Sequence, residues 1–179
     1  LGIPYAAYKA SAAPVSYLLL PATVSLAVPL YEKWELLCRN WAAILAGILA
    51  GVAASLGSVL VLALLLRLDH TQYVTLLPKS VTTAISMDIA AELGGMAALT
   101  GALVILTGIV GALLADSVFR VFGITDPIAK GIGIGSAAHA VGTAKALELG
   151  EVEGAMSGLA IAVAGIMTAL LCPVVANLI

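Results

Sequence analysis

From Asn40 to Leu66, from Met96 to Ala115 and from Gly154 to Ile179 the chain carries no charged residue, and these runs constrain its fold more than anything else in it. A helix rises about 1.5 Å per residue, so about 20 apolar residues cross a bilayer core about 30 Å thick. Inside that core every backbone N–H and C=O must be satisfied by the chain itself, which leaves helices or closed barrels. The run from Asn40 to Leu66 is the cleanest spanning helix, closed by Arg67, Asp69 and His70 at the far face. A further uncharged run, Ala10 to Tyr31, is interrupted by Pro14, Pro21 and Pro29. Each interior Pro removes a hydrogen bond and clashes with the preceding turn, so no continuous helix is expected there.

Composition agrees: 62% of residues are hydrophobic and 10% charged, against about 25% charged in soluble domains. Eight Lys and Arg stand against ten Asp and Glu. No basic stripe exists to neutralise phosphates, which disfavours a nucleic-acid partner. Cys38 and Cys172 lack metal-ligand spacing and read as small buried hydrophobes. Frequent Gly and few aromatics imply helices that approach closely.

Tyr5, Tyr8 and Lys9, in the lead-in Leu1 to Ala13, suit the membrane–water interface. The segment from Glu32 to Arg39, flanked by Trp34 and Trp41, reads as a charged loop with an aromatic belt. Thr125-Asp126-Pro127 is a helix-initiating turn, Asp as cap and Pro in the first turn. The chain opens at Leu1 with no charged n-region, so no signal peptide is expected.

Two stretches break the apolar pattern: Leu77-Pro78-Lys79-Ser80-Val81-Thr82-Thr83, followed by Asp88, and Gly131 to Thr143, which contains Gly133, Gly135, Ser136, His139 and Gly142. Such backbone at membrane depth is tolerated only where it is buried in protein or lines a cavity. The stretches also occupy equivalent places in an internal repeat. One register shift lays Thr100-Gly101 on Ser157-Gly158, Gly108-Ile109 on Gly165-Ile166, and Ala112-Leu113-Leu114 on Ala169-Leu170-Leu171. A shift shorter by one residue lays Ser80 on Ser136 and Glu92-Leu93-Gly94 on Glu148-Leu149-Gly150. The repeat units are about 72–123 and 128–179, with a weaker related unit at 14–68.

If the first stretch dips in and returns, Lys33, Arg39, Arg120 and Lys130 share one face and Arg67 the other, which fits the positive-inside bias better than a crossing does. Each unit then has an odd number of crossings, so successive units are inverted and two dips meet from opposite faces. The expected fold is an all-α polytopic membrane protein: one membrane domain over 1–179, an inverted-repeat, transporter-like bundle with discontinuous or re-entrant helices.

A broken helix leaves free N–H groups at the start of its second half, where the helix dipole favours an anion. Ser80 and Ser136 are the candidate caps at those starts. Lys79 can supply positive charge, and Thr82, Thr83 and Thr143 can hydrogen-bond a carboxylate or a substrate hydroxyl. Against this, a Lys can snorkel to the interface and a membrane hydroxyl commonly bonds its own helix. Histidine is the side chain most easily protonated near neutral pH, which makes His139 a proton-coupling candidate, as is Asp88; the plain alternative is a neutral His bonded between helices. Lys145 and Glu148 are expected to pair. No metal site, cofactor motif or enzyme motif appears, and Ser136 near His139 does not by spacing form a dyad.

Leu77-Pro78-Lys79-Ser80-Val81-Thr82-Thr83, Gly135-Ser136-Ala137-Ala138-His139-Ala140-Val141-Gly142-Thr143-Ala144-Lys145-Ala146 and Glu151-Val152-Glu153-Gly154-Ala155-Met156-Ser157-Gly158-Leu159 resemble the LrgB/CidB family, as do Pro21-Ala22-Thr23-Val24 and Ala27-Val28-Pro29-Leu30-Tyr31. One departure is Ala84, where many relatives carry Pro. The resemblance implies a multi-pass protein of the bacterial inner membrane, historically antiholin-like and linked to murein hydrolase control and cell lysis. It extends to the carboxy-terminal part of the plastid glycolate/glycerate translocator of the inner envelope, and relatives are associated with transport of pyruvate and similar short acids. It also implies a small LrgA/CidA-type membrane partner and further apolar segments before Leu1; a homo-oligomeric dimer is expected separately, because membrane carriers of this size are often paired. Residues and resemblance together favour a carrier of small monocarboxylates (pyruvate, glycolate, glycerate or lactate type), coupled to protons and working by alternating access. A holin/antiholin-like regulator is the alternative.

Overall fold

The computed structural model describes residues 27–179 and, before them, positions 11, 14, 17, 18, 21, 24 and 25. Among the described residues the chain forms α1 (Ala27–Glu32), α2 (Trp34–Leu66), α3 (His70–Leu76), α4 (Thr83–Glu92), α5 (Ala97–Val121), α6 (Pro127–Leu149) and α7 (Glu151–Ala176). The expectation for the lead-in 1–13 falls almost wholly outside the described residues, and those for the Pro-interrupted run 10–31 and the weaker repeat unit 14–68 fall partly outside them.

Among the described residues three helices, α2, α5 and α7, are long and apolar enough to cross a membrane. With the all-helical architecture, they make this a helical membrane protein. α2 begins earlier than the charge pattern implies: Trp34 to Arg39, expected as loop, is its first turn and a half. Its 33 residues span about 50 Å at about 1.5 Å each, so its charged start extends beyond the apolar section. Ile44, Ile48, Val52, Leu56, Val59 and Ala63 recur every three or four residues and form its buried face. That stripe packs with Ala155, Met156, Ala160 and Ala164 of α7 in one core.

Of the remaining helices, α3, α4 and α6 form two hairpins. α3 is started by a capping box, in which the Asp69 carboxylate accepts from Gln72 N–H and the Gln72 amide oxygen accepts from Asp69 N–H. The chain then turns through 77–82 and returns as α4, which packs against α5. Ser86 of α4 donates to the Pro78 carbonyl at 2.6 Å, and the α5 start returns to α3, Met96 N–H donating to Thr75 Oγ1 at 2.9 Å.

The second hairpin lies within α6, begun by Asp126, whose carboxylate accepts from Ala129 N–H at 2.9 Å with Pro127 in the first turn. At His139 the backbone takes φ 40°, ψ −136°, and the helix folds back. A Cβ built on Gly142 would lie 2.7 Å from Ile134 Cγ2, so the limb after His139 lies against the limb before it.

The hairpins open at opposite ends of the bundle. His70 Nδ1 donates to the Ile179 carbonyl at 3.0 Å and Tyr73 Oη to the Val175 carbonyl at 3.0 Å, so the first opens where α7 ends. The second opens where α5 ends: Lys145 pairs with Asp116 at 3.1 Å and Lys130 lies 6.0 Å from the Phe119 ring. Lys33 joins Glu151 at 2.9 Å at that same end. One end therefore carries Lys33, Arg39, Arg120, Lys130 and Lys145, and the other carries Arg67.

Candidate functional site

The turn of the first hairpin is shaped by Pro78, which cannot continue α3, and by Ser86, whose hydroxyl takes up the Pro78 carbonyl. Lys79 N–H closes the turn on Leu76 O at 3.2 Å. The side chains beyond the turn reach α2. Lys79 Nζ donates to Ser80 Oγ at 3.1 Å, and Ser55 Oγ, from the middle of α2, donates to the same oxygen at 2.8 Å. Ser80 accepts twice, so its own proton is free to be donated.

The turn of the second hairpin depends on close approach. His139 Nε2 donates to the Val104 carbonyl of α5 at 2.9 Å. A Cβ on Gly108 would stand 2.8 Å from His139 Cε1, and one on Gly51 would stand 2.7 Å from Ser136 Oγ. Any larger residue at either position would force the turn away from its neighbours. Gly135 of α6 faces the Ser157 carbonyl of α7 in the same way, so small residues let α6 insert between α2, α5 and α7. Thr143 Oγ1 donates to the His139 carbonyl at 3.0 Å and shares a 2.7 Å bond with Ser157 Oγ.

Both turns meet the middle of α2, at Ser55 and Gly51, one helical turn apart. Beside them lies a cavity of about 730 Å³. Lys79, Ser80 and Ser136 line it, with Ser55 and Ser58 of α2, Thr107 and Gly111 of α5, and Gly133. Of the residues expected to contact a ligand, Lys79, Ser80 and Ser136 are thus brought together. Thr82, Thr83, His139 and Thr143 stand outside the lining, and Asp88 is exposed on α4. Thr83 packs instead toward Gly101 of α5.

Two expectations are corrected here. Ser80 and Ser136 are not helix caps: the residue preceding α4 is Thr82, whose side chain makes no capping bond, and Ser136 donates to the Ile132 carbonyl of its own helix at 2.7 Å. Cys172 is buried as expected, but Cys38 is exposed. Lys145 pairs with Asp116 more closely than with Glu148, at 3.1 Å against 3.6 Å, because the fold-back brings it beside α5. Ala84 is the second residue of α4, in the first turn, where a Pro would cost no helix bond.

Ser55, Ser58 and Thr107 were not singled out by the sequence. A hydroxyl within an uncharged run carries the same signal as one bonded to its own backbone. Only the arrival of the hairpin turns distinguishes these three.

Charge is unevenly placed. Among the described residues, Lys79 is the cation at mid-height, and no carboxylate lies within ion-pair distance of it. No buried polar side-chain atom lacks a hydrogen-bond partner, and no group of three or more His, Cys, Asp or Glu could hold a metal ion, again among the described residues. The cavity thus offers an ammonium and several hydroxyls in an apolar surround, a setting suited to a small anion with a hydrogen-bonding group.

No solved structure matches the chain. The model of the LrgB-like family matches residues 1–178, nearly the whole sequence, and the chain belongs to that family.

Proposed function

We propose that this protein is a multi-pass carrier of small monocarboxylates of the pyruvate, glycolate, glycerate or lactate type, coupled to protons and working by alternating access. The observation that carries the reading is Lys79, an ammonium in the mid-height cavity with no carboxylate beside it among the described residues. A buried charge is costly unless compensated, and a substrate carboxylate would compensate it. Two hairpins opening at opposite ends support alternation: rocking one unit against the other would expose the same cavity to each end in turn. We read units 72–123 and 128–179 as an inverted duplication on the same ground. His139 is the coupling candidate, because protonation would alter the contact between the second hairpin and α5. An LrgA/CidA-type partner, pairing of two copies and a bacterial inner-membrane location complete the proposal.

The test is uptake of labelled lactate, glycolate and pyruvate into proteoliposomes, with and without such a partner. Uptake is expected, and Lys79→Met is expected to lower it about ten- to a hundredfold below saturation, since hydrogen bonds to charged groups are worth about 1.5–3 kcal/mol. Absence of uptake under every condition, with lysis timing unchanged by Lys79→Met, would favour the antiholin-like regulator instead.

A further inference from the structure

The central cavity does not end at the hairpin turns. Gly47 of α2 and Gly133 of α6 line both it and a second cavity of about 450 Å³, which continues along α2 and the first limb of α6 past Ala129 to Asn40 and Asp126. That second cavity ends at Asn40 and Asp126, toward the end of the bundle that carries Lys33, Arg39, Arg120 and Lys130. The two are joined at a point where no side chain intervenes: a Cβ at Gly133 would meet nothing within 4 Å, and one at Gly47 would meet only the Ile132 side chain. Elsewhere glycines of α6 are spent on contact, Gly131 against the Glu153 carbonyl and Gly135 against the Ser157 carbonyl. Gly133 is the exception, and its open side faces the junction.

Toward the other end the continuation differs. There the central cavity shares only Leu103 with a space of about 250 Å³ lined by Leu68, Leu76, Met96 and Leu99. Its polar groups are Gln72 and Thr75, and the Thr75 hydroxyl is already bonded to the Thr71 carbonyl and Met96 N–H. A hydrated anion gains nothing from leucine and methionine walls.

We infer that the track from Ser136 past Gly133 and Gly47 to Asn40 and Asp126 is the water-filled route between the binding cavity and the basic end, and that it stays clear at its middle because Gly133 carries no side chain there. The inference rests on the carrier reading and assigns the conformation: open to the basic end, sealed by apolar side chains toward the Arg67 end. Gly133 is a positioning residue that keeps the passage clear; it holds no substrate.

Two variants test it. Gly133→Leu puts a side chain into the passage from a position where its Cβ meets no neighbour, so detergent-solubilised protein is expected to melt like the parent while lactate uptake falls at least tenfold. Gly133→Cys, in a Cys38→Ser background, is expected to react with a charged, membrane-impermeant thiol reagent added at the basic end and to be slowed by lactate. Parent-like uptake by Gly133→Leu, or a Gly133→Cys thiol inert to the aqueous reagent, would overturn the route; inertness would mark the track as facing lipid. If the parent protein moves no acid, the carrier reading falls, while the labelling still decides whether the track holds water.

Discussion

Thr143 shows how a residue of the right chemistry can be occupied by structure. Its hydroxyl was a candidate for substrate, yet it bridges the His139 carbonyl and Ser157 at the seam between α6 and α7. Removing it leaves Ser157 short of a partner in an apolar surround, and such interhelical bonds are worth about 0.6–2 kcal/mol. Thr143→Val is therefore expected to lower thermal stability in detergent by about that amount while leaving the KM for lactate within about twofold. A large rise in KM with unchanged stability would instead put the hydroxyl on the substrate. Lys79 is the opposite case: its bond goes to Ser80, itself a cavity residue, so its charge remains on offer.

Among the described elements, α6 carries a conformational cost at its break. His139 sits at φ 40°, ψ −136°, a region that disfavours any side chain, and is held there by its bond to Val104 and by the close approach of Gly108. Strained residues of this kind cost about 1–3 kcal/mol, which glycine largely avoids. His139→Ala and His139→Gly both lose the ring bond, so their difference isolates the strain. The glycine variant is expected to be the more stable by about 1 kcal/mol or more, read from unfolding in detergent. Equal stability of the two would mean that the break costs nothing. The first hairpin breaks differently: Pro78 stops α3 and Ser86 satisfies the carbonyls of the turn.

For the molecule as a whole, the sense of the hairpins predicts a topology that can be measured. Both ends of the first hairpin belong with Arg67, away from the basic end where Cys38 begins α2. In sealed vesicles, native Cys38 is expected to react with an impermeant thiol reagent from one side. In a Cys38→Ser background, Arg67→Cys and Glu92→Cys are expected to react from the other. Labelling of Arg67→Cys and Glu92→Cys from opposite sides would mean that α3 and α4 cross rather than dip. Orientation should follow the positive-inside bias, which places the Lys33, Arg39, Arg120, Lys130 and Lys145 end in the cytoplasm.

Long uncharged runs, the Pro and Gly breaks between them and the placement of Lys and Arg were enough to read an all-helical membrane fold with interrupted helices, because backbone in lipid has so few ways to satisfy its hydrogen bonds. The same rule located Lys79, Ser80 and Ser136, polar groups at membrane depth that need a reason. It could not tell which hydroxyls face a cavity. Thr143 and Ser55 look alike along the chain, and one is sealed against α7 while the other meets a hairpin turn. Nor could it separate Gly133 from Gly131 and Gly135, two of which let helices touch while one leaves a passage open. Those distinctions arise only when α2, α5 and α7 close around the hairpins, since a side chain's role depends on what packing places opposite it.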